Sequence, residues 1–433
     1  MGVTANRNLE ASNAYWERAN RVIMDGTQLY SKGPMINVQG VAPTFLRRGD
    51  AGHVWDVDGN EYIDFTSGVG SVVLGYNYPS VNEAITRQLR EGSNLGLIHP
   101  LEVETAELLC ECIPCAEMVR FMKTGGGACA AAVRLARAYT GREVIIKGEY
   151  HGWHDWAMAG SKRNAGIPKA LRNTVHHAEY NDIGRVESLL RENDGKVAAV
   201  IMEPVQLEAP KDDYLEKLAE VTRAHGALLI FDEVVTGFRF SLGGAQEYFG
   251  VAPDLAVLGK GMSNGMPLSA VVGRRKVFET VRDEVFISTT FGGEMLSLAA
   301  ACANITEIRD EPVLDRVWDL GARLAAGTNA LAEKAGVGMR CIGYPPRVLI
   351  VTDRVGASEV EDNALKSLFL QETVKRGVLM AWQMFPMYAH QDADIDRTLD
   401  VFEEALEVCR DAIERGDVAE RLEGPPVNWV EVL

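Results

Sequence analysis

The stretch ALLIFDEVV, residues 227–235, is a short apolar run that ends on two acidic residues. A run of this length and character is typical of a strand that is buried on both faces of a parallel sheet. We predict a strand over Ala227–Phe231, directly followed by Asp232. Four other runs share this pattern, and we predict strands over Met118–Met122, Val144–Lys147, Val197–Met202 and Leu255–Leu258.

Helical patterns lie between these runs, for example over Cys129–Ala138 and Tyr214–Ala224. Strands that alternate with helices predict an α/β fold with a mostly parallel, doubly wound central sheet. The 433 residues exceed the usual size of one hydrophobic core. We therefore predict a large domain over 80–310 and a small α+β domain formed by 1–79 together with 311–433.

The two ends of the chain follow a different pattern. Residues 53–65, HVWDVDGNEYIDF, hold two short alternating runs around Asp58-Gly59-Asn60, which predict a β-hairpin. Apolar residues at helical spacing predict a helix over 11–24 and a long one over about 395–414.

Composition excludes several classes of function. The net charge of −17, from 44 basic and 61 acidic residues, is evidence against nucleic acid or an anionic membrane as the main partner. The chain shows no signal peptide and no apolar run long enough to span a bilayer. Seven cysteines, an odd number, favour a reducing cytoplasm over a disulfide framework. Cys110, Cys112 and Cys115 lack a second ligand pair at zinc-finger spacing, so we predict no metal site.

Residues suited to catalysis follow several of the predicted strands. They are a Lys-Thr-Gly-Gly-Gly turn at 123–127, the sequence GEYHGWH at 148–154, Glu203, Asp232 with Glu233, and Lys260. Ligands of open α/β sheets bind at the carboxyl ends of the strands. We therefore expect one site there that combines a lysine, carboxylates, a glycine turn and aromatic side chains.

The glycine turn is a candidate phosphate site. Gly125, Gly126 and Gly127 let the backbone approach a ligand closely, and the helix that follows offers N–H groups at its N-terminus. The spacing matches neither the Walker loop nor the dinucleotide pattern GxGxxG, which is evidence against nucleoside triphosphates and NAD. The same turn could also be no more than a tight connection.

Lys260 and Asp232 each allow two interpretations. Desolvation behind a buried strand lowers the pKa of a lysine ammonium and frees the amine to form an imine, but Lys260 could equally be a surface residue at a strand end. Asp232 could pair with a protonated ring nitrogen of a pyridine cofactor, or it could cap the next turn. Tyr150 could stack on such a ring or pack at the rim of the site.

The chain resembles the class III, or omega-type, aminotransferases, which depend on pyridoxal phosphate, and among them the glutamate-1-semialdehyde 2,1-aminomutase-like branch. The resemblance extends from about Gly26 to Leu406, and the pattern FDEVxTGFR with a Gly-Lys pair 28 residues after its Asp is specific. The segments that carry it are WDVDGNEYIDF at 55–65, VRLARAYTGR at 133–142, YHGWHD at 150–155, MEPV at 202–205, LLIFDEVVTGFR at 228–239, LGKGMSNGMPLSAVVG at 258–273 and TTFGGEMLSLAAA at 289–301.

The resemblance implies the fold-type-I architecture of pyridoxal-phosphate enzymes and a homodimer with its active sites at the interface. It implies that Lys260 holds the cofactor as a Schiff base and that Asp232 pairs with the pyridine nitrogen. The other residues that it assigns to the cofactor are Thr124, Gly125 and Gly126 at the phosphate, Tyr150 and Val234 on the two ring faces, His151, Glu203 near the ring hydroxyl, and Thr290, which reaches the phosphate of the neighbouring subunit.

The chain departs from the family at two places that bear on the cofactor. The family's phosphate loop N-S-G-T-E-A is here Lys123 to Ala128, so we expect phosphate contacts to rest more on the backbone. The family's G-N-P after the phosphate Thr is here Gly293-Glu294-Met295.

Substrate residues are harder to assign. Lys32 stands where the true aminomutases carry an Arg for the substrate carboxylate, and a lysine cannot reproduce the planar bidentate contact of an arginine. We take Lys32, Trp153 and Arg347 as candidate substrate contacts, although Arg347 could instead bind a neighbouring acid. His99, His154, Trp382 and Tyr388 are further candidates that could equally be packing residues.

From these observations we predict an aminotransferase that moves an amino group from a small-molecule donor to a carbonyl acceptor in two half-reactions. In its KTG-type loop, its TFGGE segment and the motif Tyr388-Ala389-His390, the chain resembles branch members that are associated with sugar or secondary-metabolite amination. An aminomutase is the nearest alternative, and a racemase or decarboxylase on the same scaffold is a more distant one. A catalytically silent protein that binds the cofactor is the alternative from another class.

Overall fold

The computed structural model describes residues 7–352, 354, 357–381 and 383–427. Its strands, in chain order, are β1 (Leu46–Asp50), β2 (His53–Asp56), β3 (Glu61–Asp64), β4 (Met118–Met122), β5 (Val144–Lys147), β6 (Val175–His177), β7 (Val197–Met202), β8 (Leu228–Glu233), β9 (Leu255–Leu258), β10 (Ser269–Gly273), β11 (Met339–Tyr344), β12 (Arg347–Thr352), β13 (Val378–Leu379) and β14 (Gln383–Met384).

The helices are α1 (Glu10–Val22), α2 (Ser67–Gly70), α3 (Pro79–Glu91), α4 (Pro100–Cys112), α5 (Gly125–Thr140), α6 (Asp155–Met158), α7 (Lys169–Arg172), α8 (Ile183–Glu192), α9 (Tyr214–Ala224), α10 (Ala245–Phe249), α11 (Arg275–Thr280), α12 (Met295–Asp310), α13 (Val313–Ala335), α14 (Glu359–Lys375) and α15 (Asp392–Arg415). Over the residues that the structure describes, none of these helices has the length and apolar character that crossing a bilayer would require.

The chain forms two compact units. One is built from Met1–Tyr78 and Asp315–Leu433, and the other from Pro79–Leu314. We call them the terminal unit and the central unit.

The central unit holds a seven-stranded sheet in the order β4-β10-β9-β8-β7-β5-β6. The strands from β9 to β6 are parallel to one another, whereas β10 is antiparallel to both β9 and β4. Since β4 is thereby parallel in direction to β9, the carboxyl ends of β4, β5, β7, β8 and β9 lie along one edge of the sheet. This confirms the predicted α/β class and its mostly parallel sheet.

Helices cover both faces of this sheet, and strand β8 shows how the sequence divides between them. Leu228 and Ile230 pack in one buried cluster with residues of α5, and Leu229 and Phe231 pack in another with residues of α8 and α9. Successive side chains of a strand point to opposite faces, so Asp232 continues the first set and Glu233 the second.

Four of the predicted strands have the bounds observed, but the predicted end of the fifth is wrong. Strand β8 continues beyond Phe231 through Asp232 and Glu233, which pair with Val257 and Leu258 of β9. Both acids are buried. Backbone N–H groups and side chains, described below, replace water as their hydrogen-bond donors. Strand β10 was not predicted.

The terminal unit holds two small sheets. One has the order β1-β2-β3-β13, with β13 parallel to β3 and the rest antiparallel, and the other has the antiparallel order β11-β12-β14. The predicted hairpin is present, with its turn at Asp58 to Asn60 and Gly59 at a φ of 91°. One buried cluster joins these sheets to α13, α14 and α15.

Candidate active site

A buried hydrogen-bond network surrounds the carboxylate of Asp232 at the carboxyl end of β8. His151 Nδ1 lies 2.7 Å from Asp232 Oδ2, and Cys129 Sγ lies 3.4 Å from the same oxygen. The N–H of Val234 donates to Asp232 Oδ1 at 3.1 Å. Since an ionised carboxylate only accepts hydrogen bonds, Nδ1 of His151 carries the proton that it shares with Asp232. Three donors from three segments therefore fix the orientation of this carboxylate.

Cys129 acts in this network as a hydrogen-bond donor. Burial, with the charge of Asp232 as the next contribution, holds the pKa of the Cys129 thiol well above its ordinary value. The thiol is therefore protonated, and its hydrogen is available to Asp232. Sequence reasoning did not assign a role to this cysteine. Its position in the sequence, two residues after the glycine turn and in the predicted helix, could have indicated a role near the site.

The same three side chains are of types that bind metal ions, but their spacing is that of a hydrogen-bond network. Two ligands of one tetrahedral zinc ion lie about 3.4 Å apart, because each is about 2.1 Å from the metal. The 2.7 Å between His151 Nδ1 and Asp232 Oδ2 is shorter and is a normal distance for a hydrogen bond to a charged acceptor.

Glu233, the next residue along β8, has a different environment on the opposite face. Its Oε2 accepts hydrogen bonds from Thr236 Oγ1 and from the N–H of Ala245, each at 2.6 Å. Its Oε1 accepts from the N–H of Gln246 at 2.9 Å and from the Gln246 side chain at 3.1 Å. These contacts join the strand end to the start of α10, so Glu233 is a structural residue.

The glycine turn at 123–127 leads from β4 into α5. Thr124 is the N-cap of α5, and its Oγ1 accepts a hydrogen bond from the N–H of Gly127 at 3.1 Å. The Ser269 hydroxyl donates to the carbonyl of Thr124 at 2.9 Å. The N–H groups of Gly125 and Gly126 lie in the first turn of the helix, where helical geometry supplies no acceptor, so they are available to an anion.

Close packing explains why this turn needs glycine. A Cβ added to Gly125 would come within 2.9 Å of Val234 Cγ2, and one added to Gly152 would come within 2.5 Å of the Cα of Gly126. Gly152 also has a φ of 98°, which favours glycine. The glycine turn therefore lies against both the Val234 side chain and the loop that carries His151.

The loop after β5 brings aromatic side chains to the same place. Tyr150 and Trp153 are exposed, at 46% and 74%, whereas His151 is buried. Trp153 stacks on His154 with ring centroids 5.0 Å apart. Burial raises the pKa of Tyr150, with smaller contributions from Cys129 and Asp232.

Lys260 stands two residues past β9 in an unusual backbone conformation. Its φ is 40°, a left-handed value that is strained for a residue with a Cβ and that is concentrated at functional sites. It begins a short 3-10 turn, Lys260–Ser263, whose carbonyls at Gly261 and Met262 accept hydrogen bonds from Asn304 of α12 at 2.8 and 3.0 Å. The preceding Gly259 lies against Val234, since an added Cβ would be 3.5 Å from Val234 Cγ1.

Two other predicted cofactor residues lie next to elements of the central unit. Glu203 directly follows β7 and is half-buried, and Thr290 is exposed in the turn that precedes α12. His99, proposed as a substrate contact, is the N-cap of α4 and accepts a hydrogen bond from the N–H of Leu101 at 3.2 Å.

The remaining substrate candidates lie in the terminal unit. Lys32 is exposed and lines a cavity of about 430 Å³ in that unit. Arg347 is half-buried on β12, and its Nε donates to Gln383 of β14 at 3.0 Å, a contact that supports a structural role. Tyr388 is half-buried. Trp382 lies outside the described residues.

Comparisons of the sequence with known proteins point to one enzyme family. Residues 35–406 match the family model described as Aminotransferase class-III. The chain is 33% identical over 409 residues to 3-aminobutyryl-CoA aminotransferase of Cloacimonas acidaminovorans, which spans 92% of this chain and 97% of that protein. It is 35% identical over 417 residues to glutamate-1-semialdehyde 2,1-aminomutase of Acetivibrio thermocellus, with 90% and 96% covered.

A solved structure has the same architecture. The FumI protein of Sphingopyxis sp. MTA144, in a form with pyridoxal phosphate (PLP), aligns with a TM-score of 0.87 and 27% identity. The alignment covers 96% of this chain and 98% of that one.

Proposed function

The chain belongs to the class III aminotransferase family, and on that premise we propose that it moves an amino group from a small-molecule donor to a carbonyl acceptor through Lys260. Its cofactor is PLP. The observation that carries this proposal is the arrangement at the end of β8. There, a buried carboxylate held by His151 lies beside a glycine turn and a strained lysine.

The residues at this edge fit the cofactor in size and chemistry. The N–H groups at the N-terminus of α5 suit a phosphate. Glycine at 125, 126 and 152 lets the Val234 side chain and the loop that carries His151 pack closely against this end of the helix. Asp232 is a buried carboxylate, which is most stable beside a positive charge such as a protonated pyridine nitrogen. When bound, PLP supplies an electron sink that makes the carbon bearing the amino group acidic.

Each residue then has a definite task. We assign the phosphate to Thr124, Gly125 and Gly126, the ring faces to Tyr150 and Val234, and the side of the ring hydroxyl to Glu203. Asp232 holds a proton at the ring nitrogen, and His151 with Cys129 holds the Asp232 carboxylate in place. Lys260 binds the cofactor, and its amine, once released, moves the proton at the substrate carbon as a general base and acid.

We further propose that the protein is a homodimer and that Thr290 reaches the cofactor phosphate of the partner subunit. Large apolar side chains are exposed on two segments of the central unit: Leu97 and Ile98 at 87% and 80%, and Phe286 and Phe291 at 81% and 57%. The two segments are adjacent, because the N–H of Met295 donates to the carbonyl of Ser93 at 2.9 Å. Exposed apolar surface of this kind is typical of a protein interface.

For the substrate, we propose that Lys32 binds an anionic group. Three cations line the cavity of the terminal unit: Lys32, Arg47 and Arg48. Arg48 stacks on Trp55 and pairs with Asp50, but among the residues that the structure describes neither Lys32 nor Arg47 has an ion-pair partner. Unpaired cations in a cavity favour a ligand with a carboxylate or a similar group. Seven free thiols favour a reducing compartment, and we propose the cytoplasm.

The test is a visible absorption spectrum of the PLP-loaded protein before and after a panel of amino donors. If the protein is an aminotransferase, one class of donor should bleach the cofactor's visible band, and a carbonyl acceptor should restore it. Absence of the band after PLP is added, or a band that every donor leaves unchanged, would contradict the proposal.

An aminomutase is the second candidate, because relatives with that name match nearly the whole chain. It predicts that glutamate 1-semialdehyde is isomerised with no second substrate, whereas the aminotransferase predicts an absolute requirement for an acceptor. A silent cofactor-binding protein predicts the band without any donor response.

A further inference from the structure

Two residues that depart from the family pattern contact each other. Lys123 Nζ lies 2.9 Å from Glu294 Oε2, although the two residues are 171 positions apart. Their side chains are only 22% and 15% exposed. An ion pair with so little solvent access is weakly screened by salt, so it holds its partners more firmly than a surface pair.

Each end of this ion pair is attached to a helix N-terminus. Lys123 directly precedes Thr124, the N-cap of α5. Glu294 is itself the N-cap of α12, and its carboxylate accepts from the N–H of Leu296 and from the Ser297 hydroxyl, both at 2.7 Å. The pair therefore ties the start of the glycine turn to the start of α12.

The turn before α12 also packs against the strand that precedes Lys123. A Cβ added to Gly292 would come within 3.0 Å of the carbonyl oxygen of Phe121 in β4, and the N–H of Glu294 donates to the carbonyl of Phe291 at 3.2 Å. The Thr289–Glu294 turn and the glycine turn thus lie side by side, and Lys123–Glu294 is the charged contact between them.

The contacts of Glu294 favour the ionised form of its carboxylate. Burial alone raises the pKa of Glu294, but hydrogen bonds from Ser297 and Lys123 outweigh it and hold the pKa below its ordinary value. The pair is therefore neutral as a whole, and its net charge adds little to the attraction of an anion at the start of α5.

We propose that the Lys123–Glu294 ion pair positions the backbone N–H groups of Gly125 and Gly126 for the cofactor phosphate. The inference rests on the proposed function, since it concerns the same phosphate site. Lys123 and Glu294 are positioning residues here, because they act through the glycine turn and through the turn that carries Thr290.

Positioning and simple electrostatics predict opposite results for one variant. Lys123→Met leaves an unpaired negative charge near the phosphate, so both accounts predict weaker binding of PLP. Glu294→Gln keeps an oxygen to cap α12 and leaves Lys123 as an unpaired positive charge. Electrostatics alone predicts tighter binding of PLP by this variant, whereas the positioning account predicts weaker binding.

The experiment measures the dissociation constants of PLP and of pyridoxal, which lacks the phosphate, by titration of the absorption band. We expect either single substitution to raise the constant for PLP roughly tenfold and to leave that for pyridoxal unchanged. The double variant should be no weaker than either single one, because the pair acts as a unit. Arg185→Met, which breaks the exposed pair with Glu192 in the same unit, is the matched control and should change neither constant.

Three outcomes would overturn the inference: tighter PLP binding by Glu294→Gln, additive effects in the double variant, or equal losses for PLP and pyridoxal. A wild-type protein that binds neither compound would instead contradict the proposed function, so the two failures are distinguishable.

Discussion

Nδ1 of His151 lies 2.7 Å from Oδ2 of Asp232, and both side chains are almost completely buried. His151 comes from the loop after β5, and Asp232 is the second-last residue of β8, two strands away in the sheet. A carboxylate fixed by a histidine in this way keeps its direction as a ligand arrives. Preorganised charge of this kind accounts for much of the rate enhancement of enzymes.

Substitution of Asp232 should affect the rate of the reaction, whereas substitution of its neighbour Glu233 should affect the stability of the fold. We expect Asp232→Asn to lower the rate of amino transfer about a thousandfold, because an amide cannot hold the proton at the ring nitrogen. We expect Glu233→Gln to lower the free energy of unfolding by about 2 kcal/mol, because its amide would face the donors of Ala245 and Gln246.

Single-turnover kinetics measure the rate of amino transfer by both variants, and urea unfolding measures their free energies of unfolding. PLP should bind to both proteins, and the rate per folded molecule of Glu233→Gln should be close to that of the wild type. Normal turnover by Asp232→Asn would show that the ring nitrogen lies elsewhere.

If the exposed apolar segments form the dimer interface, one charged residue introduced there should disrupt the dimer. Leu97→Asp introduces an unpaired carboxylate at a side chain that is 87% exposed in the single subunit. Burying that charge in an interface is costly, so the variant should elute as a monomer. Val360→Asp, at 78% exposure in the terminal unit, is the control. Light scattering with size-exclusion chromatography gives the mass of each species, and an unchanged dimer of Leu97→Asp would contradict this assignment.

If Lys32 binds an anionic group of the substrate, its substitution should change the Michaelis constant for charged substrates. Lys32→Ala should raise KM about tenfold for a donor or acceptor that carries a carboxylate away from the reacting carbon, with little change in kcat. Lys334→Ala removes a cation of the same unit that pairs with Glu403, and it should leave KM unchanged. Initial rates with a charged substrate and its neutral amide measure the effect. An equal change of KM for both compounds would exclude Lys32 as the anion contact.

The buried environment of His390 predicts that the protein loses stability in mild acid. Burial is the main reason why the pKa of His390 is lowered to about 4, with His53 and Asp394 as its nearest titrating neighbours. Its Nδ1 accepts from the N–H of Met387 at 2.9 Å, and its Nε2 lies 3.1 Å from the carbonyl of Asp64. The neutral ring is therefore the form that the folded protein stabilises.

The sign of the pH dependence follows from these two states. The unfolded chain takes up a proton near pH 6.5, whereas the folded protein does so only near pH 4. The contribution to stability is therefore complete above pH 6.5 and is lost as the pH falls toward 4, with a loss of about 2 kcal/mol between pH 7 and pH 5.

Urea unfolding at both pH values tests this dependence. His390→Gln should reduce the difference between the two free energies of unfolding, and His177→Gln, at an exposed site, should retain it. The prediction is wrong if His390→Gln keeps the wild-type difference.

Much of the fold could be predicted because buried parallel strands are short, continuous apolar runs. The bounds of Val197–Met202 and Leu255–Leu258 are those observed. The end of β8 could not be predicted, because Asp232 and Glu233 are charged yet pair with β9 and have their donors supplied by other elements.

The candidate site followed from the rule that ligands bind at the carboxyl ends of strands, which placed Asp232, Lys260 and the glycine turn at one edge. The contacts of Cys129 with Asp232 and of Lys123 with Glu294 join residues 103 and 171 positions apart. Such contacts depend on the packing of α5 and α12 against the sheet, which local sequence does not specify.

Covalent trapping of the cofactor tests whether Lys260 is the residue that binds it. The protein is loaded with PLP, reduced with borohydride, digested and analysed by peptide mass spectrometry. We expect the reduced cofactor on the peptide that contains Lys260 and no incorporation in Lys260→Ala, which should remain folded. Attachment to another lysine, or no attachment in a protein that binds PLP, would contradict the account.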